Sequence, residues 1–111
     1  MSRREVQRLN DIRTAIAVIH DHIATGSFDR KTSDAVLYNL VVIGEAAAQI
    51  SDETRARAAE IPWTRIVGLR NLIAHEYFRI DLGVIQSIVA EQLDQLGDTA
   101  RRLIEEDDEP M

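Results

Sequence analysis

The 111-residue chain contains no cysteine, which excludes a disulfide framework and thiolate chemistry and suits a reducing cytoplasm. Only two prolines and five glycines interrupt it. The intervals between them carry helical rather than alternating periodicity, so an all-α fold is expected. No apolar run reaches the length of a membrane span. Met1-Ser2-Arg3-Arg4-Glu5-Val6 leads straight into an amphipathic pattern without the apolar core of a signal peptide. A cytoplasmic protein away from membranes is the expectation. At 12.5 kDa there is room for one domain and none for a second catalytic one. With 45% hydrophobic and 29% charged residues, the composition is that of a folded globular chain.

The formal charge is -6, but five acidic residues are packed into Glu105-Glu106-Asp107-Asp108-Glu109, and without them the balance falls to -1. Twelve of the thirteen basic residues are arginines, a residue type suited to forked contacts with phosphate. Charge alone therefore neither supports nor excludes an RNA partner.

Leu9, Ile12, Ile16, Ile19 and Ile23 recur at steps of three and four and predict a first helix from Arg3 to Thr25, ended by Gly26. The run from Lys31 to Ile50 is apolar over so wide a face that it needs more than one neighbour. Ser51-Asp52-Glu53-Thr54 opens a short third helix. A fourth starts near Pro62 and runs toward His75. A last one begins after Asp81, with Leu82, Ile85, Val89, Leu93, Leu96, Ala100 and Leu103 on its buried face. The expectation is a four- to five-helix bundle over residues 1–104, followed by an acidic disordered tail at 105–111.

The stretch Trp63 to Arg79 collects three of the five aromatic residues, three arginines and one histidine. On an ideal helix Ile66, Leu69 and Ile73 share one stripe, which is core. Gly68, Asn71 and His75 share another that lacks bulky side chains and leaves space for a ligand or a second helix. Arg70 and His75, five apart, point about 140° away from each other. They meet only if the guanidinium swings into a groove beside His75, or if a two-fold dimer brings the same helix from a second chain. Either arrangement provides a fork for phosphate oxygens, an amide donor and a group titrating near neutral pH. Those parts suffice for metal-free RNA cleavage by 2'-hydroxyl attack. The same spacing also suits a surface arginine and a histidine resting on the last carbonyls of its helix.

Gly68-Leu69-Arg70-Asn71-Leu72-Ile73-Ala74-His75-Glu76-Tyr77-Phe78 resembles the R-x-x-x-x-H-x-Tyr motif of HepT-like toxins, a branch of the HEPN ribonuclease superfamily. The resemblance extends back through Tyr38-Asn39-Leu40, Ile43-Gly44-Glu45-Ala46 and Ile61-Pro62-Trp63, and covers nearly the whole chain apart from the acidic tail. It implies a metal-independent endoribonuclease toxin of a type VII-like toxin-antitoxin system. Such a toxin is a homodimer whose motif helices face a shared cleft, and it cuts RNA (mRNA or tRNA) without a cofactor. Arg70 and His75 map onto the catalytic pair of that family, and Asn71 onto the polar position after the motif arginine. Tyr77 maps onto the tyrosine that an MntA-type nucleotidyltransferase antitoxin modifies with AMP. The alternative is a noncatalytic dimeric helical module that binds a nucleotide or a nucleotidyltransferase partner.

Other signals are weaker. Tyr38, Glu45 and Gln49 share a stripe that faces either the same cleft or solvent at a dimer edge. Tyr77-Phe78 also reads as an aromatic plug closing the bundle. His20-Asp21-His22 has alternate residues pointing in different directions, so a metal site is not expected. Gly26-Ser27-Phe28-Asp29 reads as a turn between helices. The excess apolar surface of the second helix, with the need to unite distant side chains, predicts a homodimer with the second and fourth helices near its axis.

Overall fold

The computed structural model describes residues 1–108. Six α-helices follow one another: α1 (Arg3–Ile23), α2 (Arg30–Ala48), α3 (Asp52–Ala56), α4 (Trp63–Glu76), α5 (Leu82–Glu91) and α6 (Leu93–Asp108), with one 3₁₀ turn (Tyr77–Arg79) after α4. No strand occurs among the described residues. The chain is all-α, as its periodicity requires.

The starts of the helices follow from short polar side chains. Ser2 and Glu5 form a reciprocal capping box on α1. Asp29 Oδ1 accepts the Thr32 amide at 2.8 Å to open α2, and Ser51 and Asp81 cap α3 and α5 in the same way. Gly26, at φ 79°, makes the left-handed turn beyond α1. Glu5 also acts beyond its own helix, because its Oε1 accepts the Ser51 amide at 2.6 Å and ties the start of α3 to α1. Partial burial works to raise the Glu5 carboxyl, but the amides of Ser51 and Ser2 outweigh it and hold it below the usual range.

α2 packs on α1 along one side and on α4 along the other, and α1 packs in turn on α6. Leu9, Ile12, Ile19, Val36, Leu40, Ile43, Leu96 and Leu103 are fully enclosed between them. The wide apolar face of α2 thus finds its two neighbours inside the chain, leaving Tyr38 exposed and Val41 and Val42 half-buried. That face does not by itself call for a second copy.

Two boundaries differ from those the sequence predicts. The helix expected after Asp81 is two, broken at Gln92, whose amide returns to the Ile88 carbonyl before α6 begins. Ile85, Val89, Leu93, Leu96, Ala100 and Leu103 are buried as expected, but Leu82, on the first turn beside the 3₁₀ segment, is 40% exposed. The acidic segment is helical through Asp108 rather than leaving the fold at Glu105. Arg57 and Arg102 both donate to Glu106, at 2.9 and 3.1 Å, and Arg102 also reaches Glu60 at 3.0 Å. Residues 109–111, the remainder of the expected tail, lie outside the described residues. No described helix is long and apolar enough to cross a membrane.

Candidate active site

α4 is anchored at its start by Trp63, whose buried indole donates to the Ala58 carbonyl at 3.0 Å. With Trp63 fixed, Ile66, Leu69 and Ile73 turn inward and are buried, as their spacing demands. Positions 66, 70, 73 and 77 then run along the seam with α2. The seam is tight at Gly44: a Cβ there would lie 3.1 Å from the Ile66 carbonyl oxygen and 3.2 Å from the Arg70 amide nitrogen. The absent side chain of Gly44 lets the two backbones approach and sets Arg70 against the next residue of α2. Arg70 Nη1 donates to Glu45 Oε1 at 2.8 Å, with both side chains about half exposed.

Asn71 and His75 stand on the neighbouring stripe of α4, exposed and without a side-chain hydrogen bond among the described residues. Gly68 lies on the same stripe, and a Cβ there would meet nothing within 4 Å. One chain therefore presents two faces of one helix. Arg70 is held on the α2 side by Glu45, while the amide and the imidazole point outward, about 140° from it in the case of His75.

Tyr77 lies in the 3₁₀ turn beyond α4, and its hydroxyl donates to Asp34 Oδ1 of α2 at 2.6 Å. That hydrogen bond, followed by burial and the carboxylate charge, holds the phenol's pKa above its usual value, with Arg30 opposing. Tyr77 and Phe78 meet edge to face at 5.1 Å. They do not plug the bundle, because Phe78 is 92% and Tyr77 38% exposed. The reason is that the buried face of α4 ends at Ile73, so the turn carries both rings past the core.

Tyr38, Glu45 and Gln49 do share an exposed stripe, along a cleft of about 490 Å³ between α1 and α2. Glu45 alone of the three has a bond to the α4 motif. Asp34 extends that stripe by one turn toward the start of α2. Sequence reasoning misses Asp34, for which a position four residues before Tyr38 is the available signal. His20 turns away from His22 to Asp94 of α6, 3.0 Å from its Nε2. Among the described residues no three His, Asp or Glu side chains converge as metal ligands would.

Comparison with known proteins agrees with the family resemblance. The family model described as "Ribonuclease HepT-like" matches residues 7–103. A protein of Thermococcus cleftensis named "Probable ribonuclease HepT" is 33% identical over 101 residues, which cover 86% of this chain and 92% of that one. A protein of Methanocaldococcus jannaschii named "Putative RNase MJ1380" is 39% identical over 62 residues, 56% of this chain and 57% of its own length. One of Caldanaerobacter subterraneus named "Putative RNase TTE0752" is 27% identical over 86 residues, 73% of this chain and 77% of that protein. No solved structure matches the chain at a significant level. With a family model spanning nearly the whole described bundle and a relative aligned along almost its full length, the chain belongs to the HepT-like ribonuclease family.

Proposed function

We propose that the protein is a metal-independent endoribonuclease toxin that works as a homodimer, with Arg70, Asn71 and His75 lining a cleft shared by two α4 helices. The observation that carries this reading is the presentation of Asn71 and His75, both exposed and without a side-chain partner among the described residues, beside a half-exposed guanidinium held through one terminal nitrogen. Gly68 lies in an open groove between α4 and Ile88 of α5, with room for RNA or the second helix to approach.

The chemistry follows from the parts. The 2'-hydroxyl of RNA attacks its own phosphate, and His75 takes its proton and returns it to the departing 5'-oxygen. Arg70 and the Asn71 amide stabilise the charge that grows on the phosphoryl oxygens. The products are a 2',3'-cyclic phosphate, or the monophosphate to which it opens, and a free 5'-hydroxyl. Tyr77 is the acceptor through which an MntA-type nucleotidyltransferase antitoxin neutralises the toxin by adding AMP.

Incubating the chain and its His75→Ala variant with total RNA and tRNA in the presence of a chelator tests the reaction. Cleavage by wild type alone, with cyclic-phosphate ends, is expected. A substrate with a 2'-deoxy sugar at the scissile position resists. Equal cleavage of DNA overturns the chemistry, and no cleavage of any RNA leaves the noncatalytic module.

A further inference from the structure

We infer that Asp34 is the proton acceptor for covalent modification of Tyr77, and that Arg30 beside it receives the phosphoryl oxygens of the incoming nucleotide. The inference rests on Tyr77 being the acceptor and adds how this chain prepares the hydroxyl. Tyr77 Oη already donates to Asp34 Oδ1 at 2.6 Å, so the proton that must leave is aimed at a carboxylate. The Arg30 side chain is 83% exposed, and its Nε lies 4.0 Å from Asp34 Oδ2. Arg30, Asp34, Leu37, Tyr77 and Ile80 line an open cleft of about 220 Å³. A nucleophile, a base and an exposed cation thus converge at a solvent-facing site, and the ribonuclease reaction uses none of the three.

Asp34 and Arg30, both on α2, are the charged groups that face the phenol; the rest of the cleft is uncharged, with Ser33 and Leu37 also from α2, Phe78 and Ile80 from the phenol's own segment and Leu82 from α5. The phenol is neutral at rest, and the hydrogen bond to Asp34 holds its pKa above the usual value. Its proton therefore leaves during attack rather than before it. In the transfer, a bond forms between Tyr77 Oη and the α-phosphorus of ATP held by the nucleotidyltransferase. The bond from that phosphorus to its bridging oxygen breaks, pyrophosphate leaves with the electron pair, and the phenolic proton passes to Asp34 and then to solvent.

The test uses the full chain with ATP and its nucleotidyltransferase partner, following AMP addition by intact mass for wild type, Asp34→Asn and Tyr77→Phe. Asp34→Asn should slow addition by about 100-fold at neutral pH. The deficit relative to wild type should shrink as pH rises from about 7 to 9, because the fraction of phenolate grows nearly tenfold per unit below the phenol pKa. Taking the ratio at each pH cancels the partner's own dependence. A wild-type rate in Asp34→Asn, or a deficit constant with pH, overturns the role of Asp34 while leaving Tyr77 as acceptor. If Tyr77→Phe gains AMP as fast as wild type, or wild type gains none, the reading of Tyr77 falls and this inference with it.

Discussion

Arg70 and Glu45 are paired at 2.8 Å at the place where Gly44 lets α2 and α4 approach. The pair is half exposed, so it contributes at most about 1 kcal/mol to stability. Its weight is electrostatic: a carboxylate sits beside the guanidinium proposed to hold the scissile phosphate. Glu45→Gln should leave the melting temperature nearly unchanged and tighten binding of a non-cleavable 2'-deoxy-substituted RNA, measured by fluorescence anisotropy at fixed salt. Weaker binding by Glu45→Gln would show that the carboxylate orients Arg70 rather than competing with RNA.

The glycines of the motif region make opposite demands. At Gly44 an added methyl presses on the backbone of α4, and Gly44→Ala should destabilise by about 1–3 kcal/mol. At Gly68 it meets nothing, and Gly68→Ala should stabilise by up to about 1 kcal/mol through helix propensity. If that face receives RNA or the second α4, Gly68→Ala should still cut more slowly despite melting higher. Thermal melts beside a cleavage assay decide it, and unimpaired cleavage by Gly68→Ala removes that face from the site.

Acid should lower the protein's stability in part through Glu5 and Glu106. At Glu5 the amides of Ser51 and Ser2 outweigh burial, and at Glu106 the hydrogen bonds from Arg57 and Arg102 dominate; both carboxyls are lowered in the folded state. A lowered carboxyl contributes stability that is full above its unfolded pKa of about 4.3 and is lost as pH falls through the folded value. Urea melts from about pH 6 to 3 should therefore show falling stability. Glu5→Gln should start less stable near neutrality and lose less on acidification, whereas a slope equal to wild type would mean its contacts do not form in solution.

The core stripes of α1 and α4 were legible in the sequence because a helix buries one face at a fixed period, and Leu9, Ile12, Ile66 and Ile73 follow it. The break at Gln92 was not legible, because neither Gly nor Pro marks it and the apolar steps from Val89 to Leu93 continue across it. The acidic run misled for another reason. Composition shows its charge, but only the folded chain brings Arg57 and Arg102 to Glu106. In the candidate site, the motif placed Arg70, Asn71, His75 and Tyr77 on their helix and turn. Their partners Glu45 and Asp34 come from α2, across a contact set by tertiary packing that no local pattern records.

The geometry of α4 makes one demand that can be read in a mixing experiment. Arg70 is tied to the α2 seam and His75 points about 140° away, so a site using both takes them from different copies of α4 or requires Arg70 to leave Glu45. Arg70→Ala and His75→Ala should each reduce cleavage by about 100-fold or more while remaining dimeric by light scattering. Mixed after partial denaturation and refolded together, the two inactive variants form heterodimers in which one chain keeps Arg70 and the other His75. If the cleft is shared, each heterodimer holds one arginine and one histidine facing each other, and a substantial fraction of wild-type cleavage returns. If both groups act from one chain, no chain in the mixture has both and activity stays absent. Recovery in the mixture, with none in either variant refolded alone, is the expected result; a dead mixture whose heterodimers are verified by mass would assign the site to a single chain.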